Sequence, residues 1–407
     1  MGGGLVISPP LLSVKIIFMN FPIEKFRSLE TPFYYYDTDL LRETLRVISQ
    51  EAGRYPQFHV HYAVKANANA RLLSIIREHG LGADCVSGGE IQAALKAGFP
   101  AEKIVFAGVG KADWEIKLGL EAGICCFNVE SVPELENIDK LAGEMGKTAS
   151  VALRINPNVD AHTHHYITTG LSENKFGISL EHLESILDCM PSLRHIKLIG
   201  LHFHIGSQIV DMDSFKMLCN RINEIQETLY RRMIIVDVIN VGGGLGVDYQ
   251  MPDKQPIPGF AEYFAVFHKH LKLRPKQHLF FELGRSVVCQ CGSLITEVLY
   301  VKEGVNKKFV IVDAGMTDLI RPALYQAYHS IENITSHLPV QEYDVVGPIC
   351  ESSDCFGKVV SLPETSRGDL IAIRSAGAYG EIMASQYNCR RLPGAYYSDE
   401  LLSLIHI

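Results

Sequence analysis

Residues able to do chemistry stand where short apolar runs end. Lys65 closes HVHYAVK, Asp84 lies in LGADCVS, Asn128 in CCFNV and Arg154 in ASVALRIN. His204 and Ser207 follow in HFHIGSQ, then Gly242, Gly243 and Gly244 in NVGGGLG, then Glu282, Gly284 and Arg285 in FELGR. A lysine in an apolar wall is kept partly neutral by desolvation, and a neutral amine condenses with an aldehyde. Three successive glycines let the backbone come close to a ligand, so their N–H groups suit a phosphate, with the Ser207 hydroxyl as a further donor. The flat ring of His204 suits stacking on an aromatic group. Glu282 is the most informative of the set. A carboxylate facing a pyridine nitrogen favours the protonated ring, and a pyridinium is the electron sink that a decarboxylation needs. Each residue alone has a plainer reading: Lys65 on the surface, the glycines as a mobile turn, His204 as a satisfied core histidine, Glu282 in an ion pair with Arg285 or Arg154. Seven coordinated strand ends favour a cofactor site instead.

The frame that must hold these residues repeats. Between the apolar runs lie helix-like stretches at 69–79, 89–97, 113–122 and 132–145. Strand-like runs fall at 59–65, 81–87, 104–108, 125–129, 149–156, 199–206, 236–242 and 278–283. Eight strand–helix units in about 225 residues fit a (β/α)8 barrel of the TIM type better than an open doubly wound sheet. Such barrels carry their chemistry at the C-terminal strand ends, where the set above falls. After residue 285 helical periodicity nearly vanishes, and the runs LITEVLYV, KFVIVDAG, YDVVGPI and DLIAIRSAG predict an antiparallel β domain. The early run TPFYYYD is a strand candidate that pairs with this second domain. The expected organisation is an extension and strand at 1–37, a barrel at 38–285 and a C-terminal β domain at 286–407.

Composition limits the partners. The 407 residues suit two domains, and 47% hydrophobic with 21% charged residues is ordinary for a soluble globular chain. A net charge of −8 without Lys/Arg clusters argues against nucleic acid. Ten cysteines with no CxxC pair read as a reduced, cytoplasmic chain, and all of them apart from Cys350 as small buried apolar residues. The apolar opening 1–20 is broken by Pro9, Pro10 and Lys15, which makes it poor as a membrane span or signal. It reads as an upstream extension with Met19 as an alternative start, or, second, as a weak secretion signal. His162, His164 and His165 read as part of a loop over the barrel mouth, not as a metal site. Trp114 reads as a packing residue on a helix.

The motifs YAVKAN, HFHIGSQ, NVGGGLG, FELGR, GPICESSD and GAYG, in this order, resemble those of the diaminopimelate decarboxylases. These are pyridoxal-phosphate-dependent enzymes with an alanine-racemase-like barrel, similar in fold to eukaryotic ornithine decarboxylase. The resemblance spans about 31–397 and implies a barrel plus β domain working as a head-to-tail homodimer. It implies that Lys65 carries pyridoxal 5′-phosphate, that His204 stacks on its ring and that Glu282 partners the ring nitrogen. Ser207, Gly242–Gly244 and the backbone of Gly284–Arg285 match the phosphate site, with Tyr379 near the cofactor and Asp84 and Arg154 among the cofactor residues. Arg285, Arg321 and Tyr325 look like ligands for the distal carboxylate of meso-diaminopimelate. Cys350, as proton donor, and Glu351, for the distal ammonium, resemble residues that reach in from the partner subunit. One departure is Leu283, where the family usually has proline; a small backbone adjustment is expected. Alternatives are a polyamine-type decarboxylase, which would share the cofactor residues but needs no distal-carboxylate clamp, and an alanine racemase, which would place Arg against the ring nitrogen. A non-catalytic homologue would tend to have lost Lys65, Cys350 or Glu282.

Overall fold

After a strand, β1 (Phe33–Tyr36), and a helix, Thr38–Ala52, eight parallel strands close into a barrel in the computed structural model, which describes residues 21–159 and 175–403. They are β2 (Phe58–Ala63), β3 (Gly82–Cys85), β4 (Ile104–Phe106), β5 (Cys126–Val129), β6 (Ala149–Arg154), β7 (Ile196–His202), β8 (Val238–Asn240) and β9 (His278–Leu283). The expectations for residues 1–18, Met19 and the histidines 162, 164 and 165 lie outside the described residues. Helix starts follow local chemistry: Ser87 caps Gly88–Lys96 by accepting from the Glu90 N–H at 3.2 Å, and Ser131 caps Val132–Glu144 from the Glu134 N–H at 3.3 Å.

Inside the barrel the strands are graded from apolar to polar. Side chains two apart on a strand share a face, so Cys126 points with Asn128, Ala152 with Arg154, Val238 with Asn240 and Phe280 with Glu282. Val105, Cys126, Ala152 and Ile199, with Phe280 against them, form an apolar plug separate from the main core between strands and helices. Above it the same columns end in Asn128, Arg154, Asn240 and Glu282, all buried. The polar ring therefore has an apolar floor.

The chain leaves the barrel into β10 (Gly292–Glu303), β11 (Lys308–Val312), β12 (Ile331–Asn333), β13 (Val340–Val346), β14 (Cys355–Pro363), β15 (Leu370–Ile373) and β16 (Gly394–Tyr397). The sheet runs β12-β15-β10-β11-β13-β14, with β1 beside β10 and β16 beside β1. It is mixed, not antiparallel throughout as predicted, because β11–β13 and β1–β16 pair in parallel. Neither is a hairpin. The link from β11 to β13 passes through helix Arg321–Tyr325 and β12, and β1 and β16 come from distant parts of the chain. The run TPFYYYD does pair with this sheet, Phe33 opposite Ile295 and Tyr36 opposite Gly292.

Two smaller expectations need correcting. Trp114 is 55% exposed, at the first turn of helix Asp113–Ala122, with its ring edge against Gly88. Cys389 is exposed, and Cys125, Cys189 and Cys355 are only partly buried. Leu283, the residue in the usual proline position, ends β9 opposite Tyr62 with its side chain buried. The β domain is anchored to the barrel mouth: the Tyr379 N–H donates to the Ala66 carbonyl at 2.8 Å, and Asn67 Nδ2 donates to the Gly377 carbonyl at 3.0 Å. Both contacts are made just after Lys65.

Candidate active site

A cavity of about 1010 Å³ opens at the C-terminal ends of the barrel strands. Lys65, Arg154, His204, Ser207, Gly244, Glu282, Gly284, Arg285, Arg321, Tyr325 and Tyr379 all line it. The residues singled out along the sequence, Cys350 and Glu351 apart, thus converge on one space or lie just beneath it.

Lys65 sits in one 3-10 turn, Val64–Ala66, directly after β2. Its Nζ is 3.4 Å from Oδ2 of the fully buried Asp84. The apolar wall expected to keep this amine neutral is therefore not what surrounds it. Burial lowers the Lys65 pKa, but Asp84, Tyr379 and Glu282 outweigh that effect and hold it above the usual lysine range. In the free protein the ammonium form is favoured. Burial, then Glu282, pushes the Asp84 carboxyl up, against the pull of Lys65.

Glu282 bonds to neither of the arginines considered for it. Its Oε1 accepts from Asn128 Nδ2 at 3.1 Å and from Asn240 Nδ2 at 2.7 Å, and its Oε2 lies 3.0 Å from His202 Nε2. Burial would raise this carboxyl, yet His202, Lys65 and His204 together hold it well below the usual carboxylate range. Arg154 pairs instead with Glu130 at 2.8 Å and lies over the Phe176 ring. His204 is driven well below the usual imidazole range by burial, then by Lys65 and Arg154. Its neutral ring accepts from the Gly243 N–H at Nδ1, 3.3 Å away.

Two further cations complete the wall. Arg285 donates to the Ser207 hydroxyl at 3.0 Å and to the Tyr249 hydroxyl at 2.6 Å, and its guanidinium lies 4.9 Å from the Tyr379 ring centroid. Arg321 donates to His329 Nε2 at 2.9 Å and also lies over Tyr249. Both arginines are buried, and neither has a carboxylate partner among the described residues. Buried charge without a counter-ion calls for an anionic ligand. The whole arrangement suits a flat heteroaromatic ring with a protonated nitrogen, bound beside anionic groups.

The glycine triplet is more constrained than a phosphate cradle requires. A Cβ on Gly243 would lie 2.0 Å from the Glu282 carbonyl oxygen, and Gly242, at φ +68°, would meet the Phe203 carbonyl at 2.5 Å. The Gly242 and Gly243 N–H groups already donate to Asn240 and His204. Of the three glycines only Gly244 lines the cavity, so the expected run of three free N–H groups is reduced.

Cys350 and Glu351 do not reach this cavity within one chain. Both are exposed on the β domain, where Glu351 accepts from the Tyr387 hydroxyl at 2.8 Å. Four residues without an assigned role at the sequence level belong to the site: His202 and Tyr249 line the cavity, and Asn240 and His329 stand behind its wall, on Glu282 and Arg321. His202 had a signal, because it precedes His204 by two in HFH. His329 had none.

Residues 41–289 match the family described as the pyridoxal-binding domain of pyridoxal-dependent decarboxylases. A diaminopimelate decarboxylase of Bacteroides thetaiotaomicron is 68% identical over 382 residues, 94% of this chain and 99% of its own. One from Helicobacter pylori is 45% identical over 370 residues, 90% of each chain. A solved Helicobacter pylori diaminopimelate decarboxylase complexed with L-lysine superposes with a TM-score of 0.87 at 41% identity, covering 93% of this chain and 94% of that one. A Vibrio vulnificus lysine/ornithine decarboxylase complexed with putrescine reaches a TM-score of 0.78 at 22% identity, which speaks for the fold alone.

Proposed function

This chain belongs to the pyridoxal-dependent decarboxylases, and from that premise we propose that it converts meso-2,6-diaminopimelate to L-lysine and carbon dioxide, the last step of lysine biosynthesis. The observation that carries the reading is a single cavity holding Lys65, the Glu282 carboxyl with its three buried donors, and two buried arginines without carboxylate partners among the described residues. One amine, one carboxylate and one pair of arginines match a cofactor aldehyde, its ring nitrogen and a second substrate carboxylate.

The residues present fit pyridoxal phosphate. Bound there, it supplies the sink for the electron pair that the departing carboxylate leaves behind. Lys65 is the point of attachment, and Asp84 Oδ2, 3.4 Å from its Nζ, is the nearest acceptor for the ammonium proton. Glu282 holds the proton on the ring nitrogen. His204 offers a neutral face for the ring, and Ser207, Gly244 and the Gly284–Arg285 backbone line the phosphate end. The Arg285 and Arg321 guanidiniums suit the distal carboxylate, which their forks bind in bidentate fashion, with Tyr325 beside them. Tyr379, fixed through its backbone to Ala66, closes the wall over Lys65.

Cys350 and Glu351 act from a second subunit in this reading. Cys350 returns a proton to the α-carbon and Glu351 meets the distal ammonium, each in the cavity of the partner. The exposed Leu324, Tyr328 and Tyr387 support a homodimer: Tyr328 borders the cavity and Tyr387 holds Glu351. We place the enzyme in the cytoplasm, a reading supported by ten free cysteines. No helix among the described residues is long and apolar enough to cross a membrane.

The test is a substrate panel. Carbon dioxide release from meso-diaminopimelate, lysine, ornithine and arginine is compared on the cofactor-loaded protein. Release from meso-diaminopimelate with one L-lysine formed per carbon dioxide is expected. Prompt turnover of ornithine with meso-diaminopimelate inert would overturn the substrate assignment.

A further inference from the structure

His202 ends β7 and lines the cavity, yet the reaction as described gives it nothing to do. Its Nε2 lies 3.0 Å from Glu282 Oε2. The acceptor is a carboxylate, so Nε2 must carry the hydrogen. Asn128 and Asn240 both donate to the other oxygen, Oε1, at 3.1 and 2.7 Å. All three donors are at most 1% exposed. A carboxylate offers about four lone-pair positions. Two on Oε1 and one on Oε2 are taken, which leaves Oε2 to accept from a ligand. The terminal torsion of a glutamate is soft and roughly two-fold. The asparagines anchor one oxygen, and His202 determines where the other points.

We infer that His202 is a positioning residue for the decarboxylation: its Nε2–H aims Glu282 Oε2 at the ring nitrogen of the cofactor and stabilises the carboxylate that keeps that nitrogen protonated. This rests on the reading of Glu282 as the ring-nitrogen partner. Against the burial that would neutralise Glu282, His202 is the largest opposing influence, ahead of Lys65 and His204. Its second nitrogen, Nδ1, is buried with no hydrogen-bond partner among the described residues. Among the described residues the His202 ring thus makes one hydrogen bond, the one to Glu282.

The experiment compares Glu282→Gln, His202→Phe and His202→Gln, each loaded with pyridoxal 5′-phosphate labelled with 15N in the ring. The pyridine-nitrogen resonance and the cofactor dissociation constant are read beside kcat and KM. Glu282→Gln and His202→Phe should both move the resonance toward the unprotonated position. His202→Phe should lower kcat by about ten- to a hundredfold, the scale of one lost charge-assisted hydrogen bond, with KM little changed. His202→Gln places an N–H at the same reach and should restore the protonated resonance and most of the rate. If Glu282→Gln moves the resonance and His202→Phe does not, the role of His202 is refuted while that of Glu282 stands. If Glu282→Gln leaves it in place, the Glu282 reading fails and this inference with it. Failure of His202→Gln to rescue also overturns the inference. Should His202→Phe not fold, His202→Asn, too short to reach, takes its place with the same expected shift.

Discussion

Arg321 brings a permanent charge into the cavity wall, and its partner is an imidazole, not a carboxylate. His329 Nδ1 lies 2.9 Å from the Arg374 carbonyl, so it carries the hydrogen and leaves Nε2 free to accept from Arg321. Burial, then Arg321 itself, pulls the His329 pKa down to about 3. A neutral ring thus orients the guanidinium without cancelling its charge. Arg321→Lys keeps the charge and loses the fork, so KM for meso-diaminopimelate should rise about ten- to a hundredfold with kcat little affected. Initial rates would check this; a fall in kcat at constant KM would count against a distal-carboxylate role. His61 makes a different prediction, about stability. It is 3% exposed inside the barrel, packs on Phe280, and burial lowers its pKa from 6.5 to about 4. The unfolded chain therefore binds a proton there that the folded chain refuses. The stability tied to this group is full above pH 6.5 and is lost as pH falls toward 4, on the order of 3 kcal/mol. Urea unfolding of His61→Leu across that range should lack this part of the acid limb. Parallel losses in variant and parent would locate the effect elsewhere.

Strands were readable from apolar runs bounded by polar residues, and all eight barrel strands lie where such runs occur. Their ends were less readable. The first barrel run was expected to extend through Lys65 but stops at Ala63, because Tyr379 and Gly377, some three hundred residues away, hold the next turn. The convergence of Lys65, Asp84, His204 and Glu282 was legible, since barrel strands deliver their ends to one mouth. The acidic surroundings of Lys65 were not, because they depend on which strand end faces which across the barrel. The same holds for the three donors on Glu282, which come from β5, β7 and β8. Register also changes what the triple glycine means. Gly243 must be glycine because the Glu282 backbone occupies the space of a Cβ. Gly243→Ala should therefore destabilise the β8–β9 junction by about 1–3 kcal/mol, as overpacking does. It should also weaken catalysis by shifting Glu282. Thermal unfolding and kcat measured together test this; an alanine variant of native stability would show that the backbone relaxes freely there.

A complete site requires more than one chain in the proposed reading. The cavity wall contains Lys65, Glu282 and the arginines, but no cysteine among the described residues lines it. Cys350 is exposed beside Glu351 on the β domain, outside the cavity. In a two-fold dimer each subunit can lend this loop to the other, since an isologous contact repeats itself at both ends. Lys65→Ala removes the function of the wall, and Cys350→Ala removes that of the lent loop. Each homodimer should then be nearly inactive in producing L-lysine. When the two variants are mixed and allowed to exchange subunits, half of the dimers become mixed. Each mixed dimer has one site with both defects and one with neither, so the mixture should recover about one quarter of the parental rate. Subunit exchange is confirmed by mass spectrometry of differently tagged chains under native conditions. Recovery near that value fits Cys350 acting across the interface. Exchange without recovery would mean that Cys350 serves its own chain or none, and the second subunit would then lose its part in the chemistry.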